Sequence, residues 1–226
     1  MLRLCVARID DLPAAELALA RAWLDAAGGD RRERASTTAQ AEFIAGRTLL
    51  RRLLQDATGV ACDAWTVSCE AGRAPVVCGP SPVHASVSHR LGWVAAAVSG
   101  GAVGVDLECA RPARTDPQER ASLMLAPEER PAWDALAPAA RESALLLRWT
   151  AKEAWYKAAP AQDQAWDFRG VVARPCAAAR ANVRAWSAGP LHVAVSGDHP
   201  GELAEADCAG LPDAGAASTF WRVAPA

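Results

Sequence analysis

Three short clusters in this 226-residue sequence combine residue types that can do chemistry. The first is Gly104-Val105-Asp106-Leu107-Glu108. In an extended strand, positions two apart share a face, so Asp106 and Glu108 point the same way while Val105 and Leu107 point into a core. Carboxylates side by side repel unless a cation or a proton intervenes. Magnesium suits such a pair, since it takes a few carboxylates and keeps positions for phosphate oxygens and water. A solvated strand edge would produce the same pattern, and the Asp-x-Glu triplet alone does not choose between the two.

The second cluster is Trp149-Thr150-Ala151-Lys152-Glu153-Ala154-Trp155-Tyr156-Lys157. Glu153 and Lys157 lie four apart and share a helix face, which by itself describes an ordinary surface ion pair worth about 0.3–0.5 kcal/mol. Leu145, Leu146, Leu147, Trp149, Trp155 and Tyr156 make this helix apolar almost all round, which predicts burial. A buried glutamate and two buried lysines need partners. The third cluster is Ser86-Val87-Ser88-His89, ahead of a glycine-containing turn. A histidine at a strand end is commonly structural, but a hydroxyl and an imidazole can also hold phosphate oxygens.

These side chains need elements to position them. Leu2–Ile9 reads as an edge strand, followed by a helix from about Ala14 to Ala27 closed by Gly28-Gly29. A second helix, about Thr37 to Ala57, gathers Phe43, Gly46, Leu49, Leu50, Leu53 and Leu54 on one arc. Arg47 and Arg51 fall at the border of that arc, where a side chain can serve a cleft, and Arg52 points more nearly opposite. Trp65–Cys69 reads as a short strand, with Gly72-Arg73-Ala74-Pro75 as a turn before Val76-Val77. Ala85–His89, Gly92–Ser99 and Ala102–Cys109 read as three more strands. Helices follow at about Pro127–Leu136 and Ala139–Ala158, the second ended by Pro160, then a loop over Ala159–Asp167 and weak strands at Asn182–Ser187, Leu191–Ser196 and Phe220–Val223. The expected fold class is α/β in the α+β sense, with two pseudo-equivalent halves, 1–104 and 105–226. Each half is a mostly antiparallel sheet packed with helices, one of them long and apolar.

Taken together and in order, the clusters resemble the signature of the 4′-phosphopantetheinyl transferases. The resemblance rests on Gly104-Val105-Asp106-x-Glu108 and, some forty residues on, Trp149-Thr150-x-Lys152-Glu153-Ala154-x-x-Lys157. Ser86-x-Ser88-His89, Gly72-Arg73-x-Pro75 and Phe43-x-x-Gly46-Arg47-x-Leu49-Leu50-Arg51 agree with it, so it runs from about Arg34 to Ala158. The length is similar to the monomeric, surfactin-synthetase-activating type. The resemblance implies transfer of 4′-phosphopantetheine from coenzyme A to a serine of an apo acyl or peptidyl carrier protein, releasing 3′,5′-ADP. It implies Asp106, Glu108 and Glu153 as ligands of Mg²⁺, with Mn²⁺ as a substitute. It further implies Lys157 and Lys152 at the leaving phosphate, Glu153 or a metal-activated water as base, and Arg47, Arg51, Arg73, Ser88 and His89 on the coenzyme A phosphates and adenine. Glu128 matches a position also proposed for metal or base work, and the Ala110–Ala126 segment is placed near the carrier.

Three positions depart from the family's usual pattern: Arg90 after His89, Arg73 in place of a frequent lysine, and Ala158-Ala159-Pro160 where a glycine usually follows Lys157. None removes a carboxylate. Two other readings compete: a metal-dependent nuclease, and a degenerate, non-catalytic carrier-binding module. A nuclease of that kind places lysine two residues after its second acid, whereas Cys109-Ala110 follow Glu108 here. A net charge of −2 also argues against a nucleic-acid partner. Seven cysteines without a C-x-x-C pair read as reduced thiols rather than a zinc site or disulfide framework. No apolar run approaches the ~20 residues of a membrane helix, and the expectation is a cytoplasmic protein.

Overall fold

The computed structural model describes residues 1–25, 37–68, 74–110, 116–159, 167–204, 208–211 and 218–226. The expected helix stop at Gly28-Gly29, the Gly72-Arg73 part of the turn, Cys69, Pro160 and most of the loop after it, residues 111–115 of the carrier-side segment and most of the Ala/Gly-rich 210s lie outside the described residues.

The protein is α+β. One sheet has four strands in the order β10-β1-β5-β4, built from β1 (Leu2–Arg8), β4 (His84–Arg90), β5 (Trp93–Ser99) and β10 (Cys208–Ala209). A second has five, in the order β6-β9-β8-β11-β7, from β6 (Gly104–Cys109), β7 (Val171–Pro175), β8 (Val183–Ala188), β9 (Leu191–Ser196) and β11 (Ser218–Pro225). A separate hairpin pairs β2 (Thr66–Ser68) with β3 (Val76–Cys78). All pairings are antiparallel except β1–β10. That parallel contact gives β1 a partner on each side, so it is not the edge strand its sequence predicts, and it returns the chain after residue 105 to the first sheet.

The two sheets meet where β4 and β6, an edge strand of each, lie side by side. Their junction is made by side chains. Ser86 Oγ accepts a hydrogen bond from Val105 N at 3.0 Å, and Ser88 Oγ accepts one from Leu107 N at 3.3 Å. Two serines on one face of β4 thus satisfy backbone donors that the edge of β6 would otherwise leave bare. Beneath the junction, Leu4, Val6, Ala95 and Ala97 pack with Val105, Leu107, Val193 and Val195 in one core. This core fixes the inward face of β6, so Asp106 and Glu108 must face the other way.

Helix α2 (Thr37–Thr58) covers the first sheet through Leu49, Leu50, Leu53 and Leu54, with α1 (Ala14–Asp25) outside it. Arg52, on the solvent side, forms a two-pronged pair with Glu16 of α1. On the second sheet lies α5 (Pro138–Ala158), opened by a proline at a first-turn position where its missing N–H costs nothing. Its contact face joins Ala151 and Ala154 to Val171, Ala173, Val183, Ala185 and Val223. α5 is less uniformly buried than its sequence predicts: Trp149, Trp155 and Tyr156 are half-buried. The helix expected over Pro127–Leu136 is a 3₁₀ turn, Pro127–Glu129, leading into a short α4, Arg130–Asp134, because Pro131 lacks the N–H that would carry the first turn on into the next. Sequence periodicity also missed α3 (Pro117–Met124), capped by the Asp116 carboxylate on Gln118 N at 2.9 Å, and strands β7 and β10.

His192 on β9 is fully buried. Its Nδ1 meets Ser187 Oγ at 2.9 Å, and its Nε2 is buried with no hydrogen-bond partner among the described residues. Burial pushes the imidazole below its ordinary value of 6.5, against the pull of Glu142 on α5. Because the folded-state value is depressed, its contribution to stability is full above 6.5 and is lost as pH falls through the folded value. Urea midpoints of the wild type should therefore fall more between pH 7.5 and 5.5 than those of His192→Gln; equal slopes would show that folding does not lower the affinity of His192 for its proton.

Candidate active site

The site grows from Asp106, nearly fully buried on the α5 side of β6. Its Oδ1 accepts hydrogen bonds from Ser88 Oγ at 2.9 Å and from Lys157 Nζ at 2.6 Å. Lys157 Nζ also reaches Ser88 Oγ at 3.5 Å. A strand-end hydroxyl from the first sheet, a carboxylate from the second and an ammonium from α5 therefore converge on one point at the seam. Burial raises the Asp106 carboxyl above its ordinary range, opposed by Lys157 and by the Ser88 bond.

One turn back on α5, Glu153 faces the same place. Its carboxyl is raised from 4.5 to about 7, first by burial, then by the charge of Asp106, with a smaller contribution from Glu108 and a counteracting one from Lys157. The closeness of helix and strand has a simple origin. A side chain at Gly104 would put its Cβ 2.0 Å from the Ala154 carbonyl oxygen and 2.6 Å from Ala158 N. Only glycine lets α5 lie on β6 at this separation.

Glu108 takes a different partner: its Oε2 lies 3.1 Å from Arg90 Nε. Arg90, which departs from the family's usual pattern after His89, lies against this carboxylate. Among the described residues no three His, Cys, Asp or Glu side chains stand arranged around a common metal position. The donor chemistry nevertheless fits a hard divalent cation. Among the described residues Asp106 Oδ2 is buried with no hydrogen-bond partner, and Glu153 carries a repulsive, desolvated charge that such a cation would relieve. Asp106, Glu108 and Glu153 are the residues that could hold it.

Lys152, expected beside the same phosphate as Lys157, points elsewhere. It is fully buried, and its ammonium donates to Glu129 Oε2 at 2.5 Å, Met124 O at 2.9 Å and Phe168 O at 3.0 Å. Those three acceptors use all its protons. Glu129 in turn accepts from Ala126 N at 2.8 Å and Ala173 N at 2.9 Å. The pair ties α5 to the turn before α4 and to β7. Glu128, its neighbour, is exposed. The buried carboxylate of this turn is thus Glu129, which the sequence reading passed over. Its signal was available: a glutamate three residues after Ala126 at a helix start is half of a capping box, reaching back to the cap N–H.

The remaining expected residues line the first-sheet side. Arg47 is buried, not at the border, with Cζ 4.9 Å above the Phe43 ring. Arg51 is half-buried one turn on. His89 Nδ1 lies 3.0 Å from Glu42 Oε2, tying the end of β4 to α2. Glu42 had no sequence signal, because its partner is distant along the chain. Arg73 lies outside the described residues.

Residues 102–202, less than half of the chain, match the family model of the 4′-phosphopantetheinyl transferase superfamily. That span contains Asp106, Glu108, Glu128, Lys152, Glu153 and Lys157, and excludes Arg47, Arg51, Arg73, Ser88 and His89. The curated proteins contain no match to the chain. No helix among the described residues is long and apolar enough to cross a membrane.

Proposed function

Proceeding from the superfamily match over residues 102–202, we propose that the protein transfers 4′-phosphopantetheine from coenzyme A to a serine of an apo acyl or peptidyl carrier protein, releasing 3′,5′-ADP. It acts as a cytoplasmic monomer. The observation that carries this reading is the convergence of Asp106, Glu153 and Lys157 at the seam, where one Asp106 carboxylate oxygen is buried with no hydrogen-bond partner among the described residues and the Glu153 carboxyl is raised.

In the transfer, the serine oxygen bonds to the pantetheine-side phosphorus, the bond from that phosphorus to the bridging oxygen breaks, and 3′,5′-ADP leaves. Asp106, Glu108 and Glu153 would hold Mg²⁺, or Mn²⁺ in its place. When bound, it supplies charge neutralisation for the pyrophosphate and polarises the phosphorus under attack. Lys157 donates to the leaving phosphate oxygen from the position where it now holds Asp106. Glu153, or a water activated beside the bound cation, would take the serine proton. Arg47, Arg51, Arg73, Ser88 and His89 bind the coenzyme A phosphates and adenine. Lys152 acts through α5, by holding the helix that carries Glu153 and Lys157.

The test incubates the protein with coenzyme A, Mg²⁺ and a panel of apo carriers and weighs each carrier. One phosphopantetheine is added to at least one carrier; no gain on any carrier, or a gain without coenzyme A, would overturn the reading. Arg47→Ala should raise KM for coenzyme A about tenfold, the loss of one charge-assisted contact, with little change in kcat. An unchanged KM would remove Arg47 from the site.

A further inference from the structure

The far edge of the second sheet carries a second cluster of charge that the proposed reaction does not use. In the antiparallel register, Arg174 on β7 stands directly opposite Arg222 on β11. Their neighbours Ala173 and Val223 pack toward α5, so the two guanidinium groups leave the opposite face. With Pro175, Cys176 and Arg180 they line a concavity of about 410 Å³. All three arginines are exposed, and among the described residues none forms an ion pair. Like charges placed directly across a strand pair destabilise a sheet.

We propose that this hollow is a binding site for a small, multiply charged oxyanion, of the phosphate or pyrophosphate class. Paired guanidinium forks match such oxygens, and an anion between Arg174 and Arg222 converts their repulsion into attraction. The concave shape favours a small molecule over the flat face of a protein partner. The site is separate from the Asp106 centre. β6 and β7 are opposite edges of a five-stranded sheet, about 19 Å apart at the usual strand spacing, and the two clusters lie on opposite faces.

The experiment titrates inorganic pyrophosphate, and in a second arm ADP, into the isotope-labelled full chain at constant ionic strength, following backbone amides by NMR. Amides of Cys176, Arg222 and Val223 shift with saturation, and the affinity they report falls at least tenfold in both Arg222→Ala and Arg180→Ala, while Arg222→Lys retains part of it. Tighter binding of ADP identifies a phosphate carried on a larger molecule; equal binding identifies the free anion. Arg180→Ala leaves the strands intact, so loss of folding in the β11 variant cannot hide the answer. Absence of shifts at these amides, or shifts unchanged by the alanine substitutions, overturns the site.

Discussion

Glu153→Gln should reduce kcat/KM for carrier modification by about three orders of magnitude and, in metal-free protein at pH 8, raise the melting temperature. Both effects come from one geometry. Glu153 feels the charges of Asp106 and Glu108, and among the described residues Lys157 is the counter-charge it meets. Its carboxyl is raised from 4.5 to about 7, so the folded state holds the proton more tightly than the unfolded chain does. With the folded value raised, stability is fully present below 4.5 and is lost as pH rises through about 7. At ~1.4 kcal/mol per unit, ionising Glu153 costs the folded state on the order of 3 kcal/mol at pH 8. Glutamine keeps the shape and removes the charge, so the variant should be the more stable protein above pH 7 and no more stable than the wild type at pH 4.5. Calorimetry at the two pH values separates this from a general packing effect. Near-normal turnover would remove Glu153 from the chemistry, and a lower melting temperature at pH 8 would show that its charge is already compensated.

The same residues show what a sequence can and cannot say about a site. The shared faces of Asp106 with Glu108 and of Glu153 with Lys157 could be read from local pattern, but joining the four in one site took the family resemblance. A two-residue period puts the first two on one face, a four-residue helical step pairs the others, and both elements form where periodicity places them. Direction across elements was not legible. Lys152 and Lys157 look equivalent in sequence, yet helical rotation sends one into the Glu129 cage and the other to Asp106. Arg90 could be assigned to Glu108 only once β4 lay beside β6, a junction made by Ser86 and Ser88 hydroxyls rather than by any periodic pattern. Strand β10, two residues long and parallel to β1, has no periodicity to find. The family resemblance points to Glu128, whereas the cap bond from Ala126 N places the buried carboxylate one residue on, at Glu129.

The largest effect away from any charged group should come from Gly104→Ala. It is expected to destabilise the protein by about 3 kcal/mol and to lower kcat by about two orders of magnitude, with KM for coenzyme A little changed. The added methyl would meet the Ala154 carbonyl oxygen at 2.0 Å, Ala158 N at 2.6 Å and the Lys157 carbonyl carbon at 3.0 Å. All three are backbone atoms of a helix, which cannot swing aside as a side-chain tip can. Gly46 offers the contrast: there a methyl would meet mainly Val87 Cγ1 at 2.7 Å, a group with some freedom to turn. At Gly104 the relief must come from α5 lifting off β6 by about an ångström or more to restore ordinary contact. That displacement would draw Lys157 away from Asp106, whose bond is only 2.6 Å, and Glu153 with it. The residues proposed to bind coenzyme A on α2 and β4 belong to the other sheet and should stay in place. A split between kcat and KM therefore distinguishes a displaced helix from a collapsed fold. Urea denaturation measures the first quantity and carrier modification the second. If Gly104→Ala folds with wild-type stability and turns over normally, the close approach of α5 to β6 is not what holds the site together.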